Sequence, residues 1–206
     1  MSEKKNIPDK KKETAGFVFH EEEVSTGAAS ILFSWTKAFI LAMIFVVLLL
    51  TFVFRQVTVN GDSMNNTLRS GDRLIITNFL TNIMYTPENG DIVVAADDQK
   101  YNDLIVKRVI ATQGQHLTIN YENGEVSVDG VILDEPYIKG KTVRLKDLQE
   151  IPEIIPEGYV FVMGDNREFS LDSRSKRIGL IPVENILGKA EARIYPFGSI
   201  GLITDR

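Results

Sequence analysis

From Ala38 to Phe54 the chain runs apolar at every position except Thr51. As a helix rising about 1.5 Å per residue, the run is roughly 25 Å long, close to the hydrocarbon thickness of a bilayer. Trp35 suits a membrane interface and Lys37 can snorkel to water, so the pattern predicts a spanning helix over residues 31–54. Beyond it the period changes from helical to alternating. Short β-branched runs predict strands at Gln56 to Val59, Arg73 to Ile76, Asp91 to Ala95 and Leu104 to Ala111. Leu117 to Tyr121, Glu125 to Val128 and Val131 to Leu133 are separated by Asn123-Gly124 and Asp129-Gly130, so they predict a small meander. Lys139 to Pro156 is charged and contains prolines, and reads as a connecting loop. Tyr159 to Met163, Ile178 to Ile181 and Ala190 to Ile194 are the remaining predicted strands, with a helical turn opening at Pro182. Residues 1–30 lack periodicity and read as a flexible polar tail.

Charge orients the span. The tail carries Lys4, Lys5, Lys10, Lys11 and Lys12, whereas only Arg55 follows closely on the other side, which places the N-terminus in the cytoplasm. The apolar run ends in Phe52-Val53-Phe54-Arg55-Gln56 without a small-x-small exit, so it reads as a retained anchor. Residues 55–206 form the outer part, large enough for one domain with a small insert. That part holds 17 Lys and Arg against 22 Asp and Glu with no basic stripe, which argues against nucleic acid as a partner. The chain has no cysteine and only two histidines, His20 and His116. Thiol catalysis, thiolate-metal sites and a His-rich zinc site are excluded, and a histidine-based triad would rest on His116 alone.

Three segments carry candidate chemistry. Ser63 follows Gly61-Asp62 nine residues after the apolar run, at a position that taken alone is a turn or cap serine. A serine hydroxyl is a weak nucleophile without a neighbouring base, and with histidine scarce that base is a carboxylate or a neutral lysine. Lys107 lies in Leu104-Ile105-Val106-Lys107-Arg108-Val109-Ile110, sharing a strand face with Ile105 and Val109 while Arg108 points the other way. Desolvation there lowers an amine pKa; the alternative is an edge-strand lysine that snorkels to water. Gly164 to Arg174 is dense in small polar and charged side chains. Asp165 could pair with Arg174 or Arg167, either at the surface or in a buried network of the kind found beside active sites.

Together these segments resemble bacterial type I signal peptidases, the membrane-bound Ser-Lys proteases, over roughly Val59 to Pro196. Gly61-Asp62-Ser63-Met64-Asn65-Asn66-Thr67-Leu68 is similar to the nucleophile box, Gly90-Asp91-Ile92-Val93 to a structural box, and Val106-Lys107-Arg108-Val109-Ile110 to the base box. Gly164 to Arg174 is similar to the last box. The resemblance implies Ser63 as nucleophile, Lys107 as general base, Ser170 as the hydroxyl orienting Lys107, and Asp165, Asp172 and Arg174 as supporting residues. Gly61 falls in the oxyanion region, leaving backbone N–H groups, chiefly that of Ser63, to bind the oxyanion, and Met64 lies beside the nucleophile. The family usually has proline where this chain has Asn66.

The implied fold is mostly β: an N-terminal transmembrane helix, then an extracytoplasmic β-rich Ser-Lys protease core with a small β insert near residues 114–157. The single span and short insert match the Gram-positive branch. The implied activity is cleavage of signal peptides from secretory preproteins, with small residues required at the first and third positions before the cut. No cofactor or metal is implied. The partners are the preproteins, the lipid bilayer and, in proximity, the protein-export translocon; the implied location is the cell membrane, single-pass. Two rivals are a specialised relative serving pilus or surface-protein assembly, and a non-catalytic membrane-anchored β module.

Overall fold

The computed structural model describes residues 27–77, 85–96 and 104–203. Helix α1 (Ala28–Val53) begins three residues before the expected span, because Gly27 O accepts bonds from Ser30 N and Ile31 N. Its few polar side chains are satisfied internally: the hydroxyls of Ser34, Thr36 and Thr51 each donate to the carbonyl one turn back. The large apolar side chains from Ile31 to Leu48 all face outward. By length and composition this helix is apolar enough to cross a membrane, and the protein is membrane-anchored.

The remainder is β-rich. β1 (Phe54–Thr58), β2 (Arg73–Thr77), β3 (Ile92–Ala96), β4 (Leu104–Thr112), β8 (Tyr159–Met163), β9 (Ile181–Pro182), β10 (Ile186–Tyr195) and β11 (Gly201–Leu202) build one antiparallel sheet. Its order is β1-β2-β10-β3-β4-β8-β9, with β11 against β10. β10 therefore inserts between β2 and β3, a long-range pairing that no local pattern encodes. A separate sheet holds β5 (Leu117–Asn120), β6 (Glu125–Val128) and β7 (Val131–Ile132). This is the expected meander. Asp129 and Gly130 both adopt positive φ (52° and 79°), as a two-residue hairpin requires. The other hairpin is a longer loop over 121–124, in which only Gly124 has positive φ.

Three expectations need correction. Ile178 to Leu180 is not strand, because Ser175 O accepts from both Ile178 N and Gly179 N and ties the segment into a turn. Strand β10 starts four residues before Ala190, directly after the single helical turn Val183–Asn185. The stretch 139–156 is irregular but not merely a surface connection: Thr142 and Ile155 are buried, and Ile155 packs with Ile110, Phe161 and Met163.

The element that positions the site is β4. Pairing with β3 and β8 makes it a central strand, and every residue from Val106 to Ala111 is buried. Neither Lys107 nor Arg108 can reach water as an edge residue would, so the snorkelling alternative fails.

Close approach also constrains β10. A Cβ on Gly188 would stand 2.2 Å from Thr77 O, a backbone atom of the adjoining strand β2. Gly188→Ala is expected to destabilise the protein by about 1–3 kcal/mol, the usual cost of overpacking, read from thermal unfolding of the detergent-solubilised chain.

Candidate active site

Between β1 and β2 the chain makes a turn over 63–67, with Ser63 at its start. Two apolar residues root this turn: Met64 and Leu68 are buried with Val59, Leu74 and Val106, and Leu68 N donates to Met64 O at 2.8 Å. Ser63 is left half-exposed at the rim. Gly61 is exposed, with φ of 89° that a side chain would strain, and its N–H donates to Ser70 Oγ. The Asn65–Asn66 peptide is cis, and the Asn66 amide donates to Ile138 O at 3.4 Å.

The base-like partner arrives from the neighbouring core. Lys107 Nζ lies 2.6 Å from Ser63 Oγ, in a side chain that is 5% exposed. Burial lowers its pKa from 10.5 to about 8, against the opposing pull of the Asp172 and Asp165 carboxylates; Arg174 adds a further push downward. His116 instead bonds the exposed Glu153, at 2.8 Å.

The segment from Gly164 to Arg174 closes over this pair. Asn166 N donates to Ser63 O at 2.9 Å, and its side-chain amide to Asp62 O at 3.0 Å. Only glycine fits at 164, since a Cβ would fall 2.4 Å from Ser63 O and 2.2 Å from Ser170 Oγ. Ser170 Oγ is buried and makes no hydrogen bond, to Lys107 or elsewhere. An O–H turned toward Asp172 helps keep that carboxyl ionised, although the approach falls short of hydrogen-bond geometry.

The charges of this segment are buried in pairs rather than exposed. Asp165 pairs with Arg108 and not with Arg167 or Arg174: Nε and Nη2 of Arg108 reach its two oxygens at 2.9 Å each. Arg174 grips Asp172 with two bonds of 2.8 Å, and Arg167 grips Glu135 from the insert at 2.5 and 3.0 Å. Burial pushes the Asp172 carboxyl up, but the Arg174 hydrogen bonds and charge outweigh it and hold the pKa below the usual carboxylate range. Thr67 completes the set by donating to Asp165 Oδ2 at 2.5 Å. Sequence reasoning missed Thr67, Arg108, Glu135 and Asn166. Two adjacent cations on an apolar strand were the available signal for Arg108, because a buried Arg demands a carboxylate.

This arrangement joins a hydroxyl, an amine of lowered pKa and a self-neutralising charge shell, a combination suited to nucleophilic catalysis. The profile of the family described as signal peptidase, peptidase S26 matches residues 32–195. The chain belongs to that family. Signal peptidase I of Bacillus licheniformis is 35% identical over 87% of this chain and 97% of its own length. Signal peptidase I S of Bacillus subtilis (strain 168) is 34% identical, over 81% of this chain and 90% of its own. Signal peptidase IB of Staphylococcus aureus (strain Mu50 / ATCC 700699) is also 34% identical, with 81% and 91% covered. These relatives place the chain in the Gram-positive-like part of the family.

Lys107 also leaves a signature in stability. Its displacement from 10.5 to about 8 disfavours the folded ammonium form by roughly 3 kcal/mol, at about 1.4 kcal/mol per tenfold. Between those pH values the unfolded chain holds a proton that the folded chain has released, so stability rises with pH from about 8 to 10.5; below pH 8 the cost is constant. Lys107→Met is expected to raise the unfolding temperature at pH 7 and to abolish that rise, measured by thermal unfolding across pH in detergent.

Proposed function

We propose that this protein is a membrane-anchored serine endopeptidase that removes signal peptides from secretory preproteins with a Ser63–Lys107 dyad. The observation that carries the reading is the 2.6 Å approach of a buried amine to Ser63 Oγ, in a chain of the signal peptidase family. Neutral Lys107 accepts the Ser63 proton as Oγ attacks the scissile carbonyl, and the Ser63 N–H binds the developing oxyanion. The ammonium so formed protonates the leaving amine, the C–N bond breaks, and an acyl-enzyme remains. The neutral amine then takes a proton from water as its oxygen attacks the ester; the C–Oγ bond breaks, the ammonium returns the proton to Ser63 Oγ, and the signal peptide is released.

Ser170 has no bond of its own and is the hydroxyl available to hold the Lys107 amine once Ser63 is acylated. Asp165 and Asp172, paired with Arg108 and Arg174, fix the 164–174 segment beside the amine. The acidic residues near the tail notwithstanding, its lysines support a cytoplasmic N-terminus and a catalytic domain outside, beside the export translocon. Holding enzyme and substrate in one bilayer raises their effective concentration.

The test is cleavage of a secretory precursor by the detergent-solubilised protein. Ser63→Ala abolishes product with insertion intact, and processing by that mutant would sink the proposal. Activity rises with pH through about 8 as Lys107 loses its proton. Lys107→Arg is inactive because guanidinium stays protonated; an active arginine variant or a flat profile would remove Lys107 from the mechanism. Precursors with small residues at the first and third positions before the cut are processed, and phenylalanine at the first position blocks cleavage. Efficient cutting after phenylalanine would assign a different specificity.

A further inference from the structure

Arg108 is fully buried, and its guanidinium edge is committed on three sides: Nε and Nη2 to Asp165, and Nη1 to Gly90 O at 2.8 Å. In-plane hydrogen bonds fix a guanidinium within its own plane. They resist tilting out of that plane poorly, and a group stacked on the face supplies what is missing. Here that group is Tyr137, an insert residue, whose ring centroid lies 3.8 Å from Arg108 Cζ.

The consequence reaches Ser63 in two steps. Asp165 Oδ2, held by Arg108, also accepts from Thr67 Oγ1, and Thr67 is the last residue of the turn that Ser63 opens. We propose that the Tyr137 ring is a positioning group for the reaction, holding Arg108 so that Asp165 and Thr67 fix the Ser63 turn against Lys107. The proposal rests on the reading of Ser63 and Lys107 as the reacting pair. The ring and the hydroxyl of Tyr137 serve different partners: the O–H donates to Glu135 Oε1 at 3.1 Å, and Glu135 grips Arg167. Burial and the Glu135 carboxylate push the phenol pKa up, so the group remains a donor at working pH.

Ring and hydroxyl can therefore be separated by substitution. Tyr137→Phe keeps the stacked face, and Tyr137→Met keeps bulk without it. The detergent-solubilised full chain is assayed for kcat, KM and the pH profile of precursor cleavage, and the Arg108 Nε–H resonance is followed by NMR. The Phe variant is expected to retain kcat within about twofold and to keep the resonance. The Met variant is expected to lose the protected resonance and roughly tenfold in kcat at nearly unchanged KM. Its acid limb also moves to higher pH, because an Asp165 less well neutralised by Arg108 favours the Lys107 ammonium more strongly. Thr67→Val, which cuts the last link, is expected to lower kcat with the Arg108 resonance intact, and it decides the matter should the Met chain not fold.

A Phe variant as impaired as Met, a Met variant with full kcat or an unmoved acid limb, or a Thr67→Val variant with full kcat would each overturn the proposal. Cleavage by Ser63→Ala would instead sink the dyad reading, and the Arg108 resonance would still report whether the ring holds the guanidinium.

Discussion

An amine can act as a base near neutral pH only if its surroundings disfavour the ammonium, and on the proposed reading that requirement governs this fold. Lys107 meets it by lying on a strand covered by β3 and β8, with 5% of its surface exposed. Burial outweighs the carboxylates nearby, although Asp172 and Asp165 both pull the pKa up. Each of those carboxylates is gripped by an arginine through two hydrogen bonds, and the Arg174 charge offsets part of their pull on the amine. Three fully buried arginines are costly to maintain: removing one partner of such a pair typically costs about 3–5 kcal/mol, while apolar replacement of both is often neutral. Stability alone does not account for their presence. Placement does, because the same groups carry the Ser63 turn and the 164–174 segment.

How far the sequence was legible follows from how local each signal is. The anchor and most strand centres could be read because periodicities of 3.6 and 2 act over a few residues. Glu125–Val128 and Tyr159–Met163 match their expected bounds for this reason. Ile178 to Leu180 could not be read correctly, because its apolar residues are compatible with strand until Ser175 ties them into a turn. The insertion of β10 between β2 and β3 joins segments more than ninety residues apart, and apolar pattern carries no address.

The candidate site divides in the same way. Lys107 was visible as a cation on an apolar stretch, and Ser63 through its Gly-Asp turn and the likeness of its segment to the nucleophile box. The partners of the ions were not visible. Expecting Asp165 to pair with Arg167 or Arg174 follows chain proximity, whereas the fold brings Arg108 from 57 residues away and leaves Arg167 to Glu135, 32 residues distant. Charge pairing inside a core is decided by which strands adjoin, so it becomes readable only after the topology is known.

A lysine base also binds recognition to chemistry more tightly than histidine would. Imidazole is about half neutral near pH 6.5 in water, but an ordinary amine is mostly neutral only above about 10.4. The reactivity of Lys107 is thus created by the exclusion of water rather than by an intrinsic pKa. Ser63 stands half-exposed beside that buried amine, so a peptide can reach the hydroxyl while the amine stays shielded from water. On the proposed reading, the packing that buries β4 in the core is the same packing that makes Lys107 available as a base.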